Sequence, residues 1–192
     1  MRRERLFFKE MSEIVGSNGL TAVVLTDEAQ QRALTIVLDS AMTEQIHIRL
    51  KDVPGHVTML PEVLLSMMEI EAKDQLELMV YDVSDGQYLV MLAPRKLLIS
   101  NFELQASNLA PHQIRMGDAI LLSIIARIPI YIEEGLFNRQ SSPYKSGCQG
   151  LQIPINVIDT GRLNVELQKA IDNEDYRLAS CLHKEITRRK AH

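Results

Sequence analysis

The stretch IRMGDAILLSIIARIPIYI, residues 114–132, constrains the fold of this chain more than any other. From Gly117 to Arg127 the apolar residues, among them Ala119, Ile120, Leu121, Leu122, Ile124, Ile125 and Ala126, fall on every side of a helix. A helix of that kind must be buried nearly all round, because no polar stripe is left to face water. Ile128 to Ile132 follows with Pro129 near its start, a β-rich run that predicts a strand entered directly from the helix. Such a unit belongs in the middle of a core, so the rest of the chain has to supply the layers around it. Nothing on this helix can do chemistry except at its ends, and Arg115 and Asp118 stand at the first of them.

Upstream, TAVVLTD (21–27) and RALTIVLD (32–39) are β-branched runs separated by polar residues and predict a hairpin. The period then changes. Met42, Ile46, Leu50 and Val53 recur at helical spacing behind a Ser40 cap. Leu60, Val63, Leu64, Met67 and Met68 repeat the pattern, with Pro61 in a first-turn position. Residues 76–92 alternate through Leu76, Leu78 and Val80, turn at Asp85-Gly86 and return through Tyr88, Val90 and Leu92. KLLISNFEL reads as another strand, and 101–113 as a loop leading into the opening stretch. Strand runs interleaved with helices and joined by hairpins predict an α+β fold, a mixed or antiparallel sheet with packed helices, ending near residue 137.

The composition then shifts. NRQSSPYKSGCQG (138–150) is polar, with proline and two glycines, and reads as the start of an exposed connection over 138–161; LQIPINVI within it reads as a short extended segment. Residues 162–192 form the third part. There Leu163, Leu167, Ala170 and Ile171 make one stripe, and Tyr176, Ala179, Leu182 and Ile186 another, on either side of DNED. This is the pattern of an αα-hairpin. Helices so short are marginal alone, and their stripes exceed what they can hide from each other, so a docking partner is expected on the domain, a second copy or another protein.

Much chemistry is excluded by what is missing. With 192 residues and 46 % apolar content the chain can bury a real core, while a formal net charge of -4 gives no global basic field for nucleic acid. An aromatic content of 5 % and no tryptophan argue against a base-stacking platform. No 18-residue uncharged apolar run predicts a membrane span. MRRERLFFKE is interrupted by Lys9 before a signal core can form, and Cys148 and Cys181 make no disulfide framework, so a cytoplasmic location is expected. His47, His56, His112, His183 and His192 lack the paired spacing of a zinc site. There is no phosphate-cradling Gly-rich loop and no Gly-x-Ser-x-Gly elbow. Glu71-Ala72-Lys73 echoes a carboxylate and ammonium pattern of metal nucleases, but reads more simply as a solvated helix end. The basic tail HKEITRRK likewise reads as a solvated helix face.

With these residues in hand, Arg115, Asp118, Ala119, Ile120, Pro129, Ile130 and Tyr131 resemble the signature of the bifunctional nuclease domain family, found in bacteria and plants. The similarity extends through the order of elements over about residues 4–137. The C-terminal segment, through Leu163, Leu167, Ala170, Glu174-Asp175-Tyr176, Ala179, Glu185 and Ile186, looks like the UVR motif of bacterial excision-repair nuclease subunits. The first resemblance implies phosphodiester hydrolysis of DNA or RNA, with a divalent cation such as Mg²⁺ or Mn²⁺ as the cofactor to test. The second implies a protein-interaction hairpin and a homo-oligomer or a protein partner through residues 162–192.

The resemblance makes Asp118, Arg115 and Glu62 the candidate catalytic residues. Asp118 would orient a metal or water, and Arg115 would bind phosphate near the positive end of the helix dipole. A second role is open to the same two residues: Asp118 stabilising the helix start and pairing with Arg115. Glu62, beside Pro61, has the same two roles open. The chain also departs from the family pattern. VTMLPE (57–62) stands where the family has Arg-Pro-Leu-Thr-His-Asp, Met42 stands where it has a glutamate, and Met116-Gly117 replace Pro-Ser. Two functional expectations follow: a nuclease of weakened activity, or a degenerate nuclease-like domain that oligomerises and recruits a partner through the hairpin.

Overall fold

The computed structural model describes residues 2–13, 20–67, 75–95, 110–144 and 160–190. The expected strand in KLLISNFEL, the extended segment LQIPINVI, Met68, the Glu71-Ala72-Lys73 tripeptide, Cys148 and His192 lie outside them. The described elements are β1 (Arg3–Glu13), β2 (Thr21–Thr26), β3 (Arg32–Leu38), α1 (Ser40–Leu50), a 3₁₀ turn (His56–Thr58), α2 (Leu60–Met67), β4 (Leu76–Ser84) and β5 (Gln87–Pro94). They continue with β6 (His112–Arg115), α3 (Met116–Ala126), β7 (Ile130–Glu133), α4 (Glu134–Gln140), β8 (Ser142–Pro143), α5 (Thr160–Asp172) and α6 (Tyr176–Lys190).

The class is α+β. One mixed sheet runs in the order β6-β5-β4-β7-β1-β2-β3-β8. Both expected hairpins are present: β2 with β3, Val24 opposite Thr35, and β4 with β5, Val80 opposite Val90. Asp85 and Gly86, at φ 47° and 77°, make the two-residue turn between β4 and β5, where both positions need the left-handed region. The unit in 114–132 places β7 parallel to β4, Leu78 against Ile130, which requires α3 as a crossover. β1 went unread because its polar face and charged start hide the alternation. Its first residues pair with β7, Arg5 against Tyr131, and the rest with β2, Met11 against Val23.

The core is made by alternate residues of the strands and by α3. Leu78, Val80, Val90, Ile130 and Ile132 are buried on the same sheet face, beneath Ala119 and Ile120. Burial of α3 is nonetheless uneven: Met116 to Leu121 is almost wholly buried, whereas Leu122, Ile124 and Ile125 are only partly covered. The expected loop at 101–113 ends earlier than read, since His112 and Gln113 are already in β6, paired with Leu92 and Met91. An edge strand of four residues carries too little alternation to be seen in sequence.

Two further expectations are corrected. The cap of α1 is Asp39, whose carboxylate accepts the Met42 amide at 2.8 Å, and Ser40 is already helical. The stripes of α1 and α2 are only partly used. Ile46 is fully buried and Leu65 packs on the core, but Leu50, Val53, Leu60, Val63, Leu64 and Met67 are exposed. Helical periodicity states which residues share a face; it does not state that another layer covers that face.

The sheet also runs into the segment read as the start of the connection. Residues 138–140 finish α4, and Ser142–Pro143 pair with β3. Arg32 fixes this return, donating through Nε to Ser141 Oγ at 2.8 Å and through Nη2 to the Ser141 carbonyl at 2.7 Å. The C-terminal helices pack as the expected hairpin around their own buried set, Leu163, Ala170, Ala179, Leu182 and Ile186. No helix among the described residues is long and apolar enough to cross a membrane. Ile120 touches strand and helix layers with no exposure, so Ile120→Ala is expected to cost about 2 to 5 kcal/mol. Urea unfolding followed by circular dichroism measures it, and a loss below about 1 kcal/mol would contradict the central placement of α3.

Candidate functional site

A cavity of about 630 Å³ opens where the C-terminal end of β3, the start of β5, β6 and the first turn of α3 meet. β3 and β6 lie near opposite ends of the strand order, yet Ile36, Leu38 and Asp39 line it together with Gln113, Arg115 and Asp118. The sheet therefore curls far enough for its two ends to enclose one space, as strand twist allows. Gly117 tightens the closure. A Cβ at that residue would come within 2.9 Å of Met42 Cγ, so glycine lets α1 and α3 approach at the cavity wall.

Arg115 and Asp118 sit on the cavity wall and hold each other. Arg115 Nε donates to Asp118 Oδ2 at 2.7 Å, and Nη2 to Oδ1 at 3.1 Å. Both are within reach of solvent, the arginine side chain 79 % exposed and the aspartate 35 %. Asp118 lies in the first turn of α3, where a carboxylate also meets the positive end of the helix dipole. The hydrogen bonds from Arg115 to Asp118 and the charge of that carboxylate, with a smaller contribution from Asp39, raise the guanidinium pKa further above its ordinary value. Asp39 shares the cavity wall with this candidate phosphate binder.

Glu62 is placed elsewhere. It lies outside the cavity lining, in the first turn of α2, and takes a two-pronged grip from Arg49, Nε to Oε1 at 2.7 Å and Nη2 to Oε2 at 2.8 Å. Arg49 also donates through Nη1 to the Gln45 carbonyl and side-chain oxygens. This pair is nearly dry, at 3 % and 12 % side-chain exposure. It bridges α1 and α2. The structure thus brings Arg115 and Asp118 together and puts Glu62 in a separate ion pair.

Two cavity residues were not singled out from sequence. Asp39 had a signal, an acid at the junction of a strand run and a helix start. Tyr88 had none beyond its place in an alternating strand. Its side chain is 5 % exposed, and its hydroxyl has no hydrogen-bond partner among the described residues. Burial pushes the phenol pKa well above its ordinary value, so Tyr88 stays protonated across the physiological range.

Among the described residues no group of three or more His, Cys, Asp or Glu side chains is placed to hold a metal ion. Asp118 is engaged by Arg115, and Asp39 by the Met42 amide. The cavity lining supplies two carboxylates, Asp39 and Asp118, fewer than such a group contains.

A family model for the bifunctional nuclease domain matches residues 23–145, which takes in the cavity, α3 and β7. The chain belongs to the bifunctional nuclease domain family. A search of curated proteins found no match.

The Arg49 grip has a pH consequence. Hydrogen bonds from Arg49 hold the Glu62 carboxyl below its ordinary pKa, against the opposing effect of desolvation. A carboxyl whose folded pKa is lowered stabilises the fold above the unfolded pKa, and that contribution is lost as pH falls through the folded value. Glu62→Gln is therefore expected to lower stability at pH 7 by about 1 to 3 kcal/mol, with the gap to wild type narrowing as pH falls below the ordinary carboxyl range. Chemical denaturation at pH 7, 5 and 3.5 tests this; a gap that does not narrow on acidification would show that Glu62 acts other than through its charge.

Proposed function

We propose that this chain hydrolyses phosphodiester bonds of DNA or RNA at the cavity formed by α3, β3 and β6. The observation that carries the reading is the exposed Arg115–Asp118 pair on the wall of a cavity within a bifunctional nuclease domain. An exposed ion pair contributes only about 0 to 1 kcal/mol, so exchanging its partner costs little. A phosphate that takes the Arg115 guanidinium, with two parallel N–H donors available, releases the Asp118 carboxylate. Asp118 then accepts a proton from a water whose oxygen attacks phosphorus, while Arg115 balances the charge that builds on the phosphoryl oxygens. The bond to the leaving oxygen breaks as the new one forms, and that oxygen takes its proton from solvent.

In this reading Glu62 supports the site from α2 and leaves Asp118 as the only candidate base of the three. The hairpin, similar to a UVR segment, would recruit a protein partner or a second copy. Asp118→Asn, which keeps the shape of the side chain, is expected to lower the cleavage rate about 10²- to 10⁴-fold, the range for losing a general base. Labelled single- and double-stranded DNA and RNA, each with Mg²⁺, Mn²⁺ or chelator, are the substrates to use. Cleavage that survives unchanged in Asp118→Asn would remove Asp118 from the mechanism.

A second reading is favoured by one observation: Glu62 is held by Arg49, and Asp118 rests in its own pair with Arg115. On this reading the domain is catalytically degenerate and serves as an oligomerising protein-interaction module through the hairpin. No cleavage under any of these conditions, with an oligomeric mass by light scattering that falls when residues 160–192 are removed, would select it.

A further inference from the structure

The hairpin meets the β4–β5 turn, beside the cavity wall, at a carboxylate. Asp85 Oδ1 accepts from Thr160 Oγ1, the first residue of α5, at 2.5 Å, and from Arg189 Nη1, near the end of α6, at 3.3 Å. Arg189 Nη1 also lies 3.3 Å from Thr160 Oγ1, and its Nε donates to Glu185 at 2.9 Å. The two free ends of the hairpin therefore converge on the β4–β5 turn. Asp85 is the first residue of that turn, and the residues directly after it, Gly86, Gln87, Tyr88 and Leu89, form one wall of the cavity. The buried residues of the hairpin form a cluster separate from the main core.

We propose that the C-terminal hairpin is a regulatory arm, latched by Thr160 and Arg189 onto Asp85, and that its docking stiffens the wall Gly86–Leu89 and so tunes ligand binding in the cavity. The regulatory part rests on the cavity being the working site; the latch does not. The strength of the latch sets its use. Asp85 is 68 % exposed while Arg189 is 12 % exposed, so one partner is held and the other is wet. A pair with one wet member is weakened by solvent and screened by salt. The arm is thus one that a competitor for its ends, or a partner that takes the hairpin, can lift without unfolding the domain. Because coupling is reciprocal, a ligand in the cavity must also steady the hairpin.

The test uses the full chain with Thr160→Val and Arg189→Gln together, which leave the turn intact, and Glu185→Gln as a comparison that breaks the Arg189–Glu185 pair and leaves the Asp85 carboxylate in place. Amide hydrogen exchange is read at Gly86–Leu89, over α5 and α6, and at β2 and β3 as a remote reference. The double variant is expected to exchange roughly two- to fivefold faster in the hairpin and at Gly86–Leu89, with β2 and β3 unchanged. Raising salt from about 0.05 to 1 M on wild type should speed the same amides, which keeps the test open if the variant fails to fold. Unchanged exchange in the hairpin would overturn the latch. Faster exchange in the hairpin alone would overturn the coupling to the cavity wall. A phosphorothioate oligonucleotide, as the binding probe, should bind the double variant about two- to fivefold more weakly. Equal binding to both forms would remove the regulatory role even where the exchange results stand, and absence of binding to wild type would overturn it together with the site reading, leaving the latch to exchange alone.

Discussion

Hydrogen bonding along β1 is the constraint on which the rest of this structure depends. Its first four residues continue the sheet of β4, β5, β6 and β7, and the remainder carries β2, β3 and β8. A shift in register between Phe8 and Glu10 lies in the β1–β2 pairing, where an extra residue increases twist and bends the strand. Only because one strand belongs to both groups can the end of β3 swing round to face β6. The cavity is the space left by that closure, and α3 is the plug that fills the rest of it.

Ion pairs divide the polar groups around this frame into two kinds. Arg49 and Glu62 are nearly dry and satisfied at four atoms, so separating them would strand a charge in a poorly solvated place. Such a pair fixes the packing of α2 on α1. Arg115 and Asp118 make the same two-pronged contact in water, where the pair contributes little and each member is available to a ligand. The same chemistry therefore serves structure in one place and readiness in the other, and exposure is what separates them. The Asp85 contacts fall between these extremes, with one wet carboxylate and one mostly buried guanidinium.

Much of the fold could be read along the chain because its signals are local. The burial of Leu78, Val80 and Val90, the Asp85-Gly86 turn and the helical hairpin with Leu163, Leu182 and Ile186 inside all follow from period and turn chemistry. What escaped has non-local causes. β1 carries Arg3, Arg5 and Lys9 on its exposed face, and β6 is too short to alternate visibly. The exposed stripe of α2 looked like core because its spacing is that of core.

By itself the sequence determined the α+β class and the placement of the apolar helix at the centre, and it offered the pairing of Arg115 with Asp118 as one of two roles, since three residues on a helix start suffice to bring them together. Tertiary structure decided which polar residues share a space. Asp39 and Tyr88 join Arg115 and Asp118 only because the sheet curls, and Glu62 leaves that company because Arg49, thirteen residues earlier in the chain, takes hold of it. Neighbours in sequence are set by helix and strand geometry; neighbours across a cavity are set by how far a whole sheet bends, and no window along the chain contains that angle.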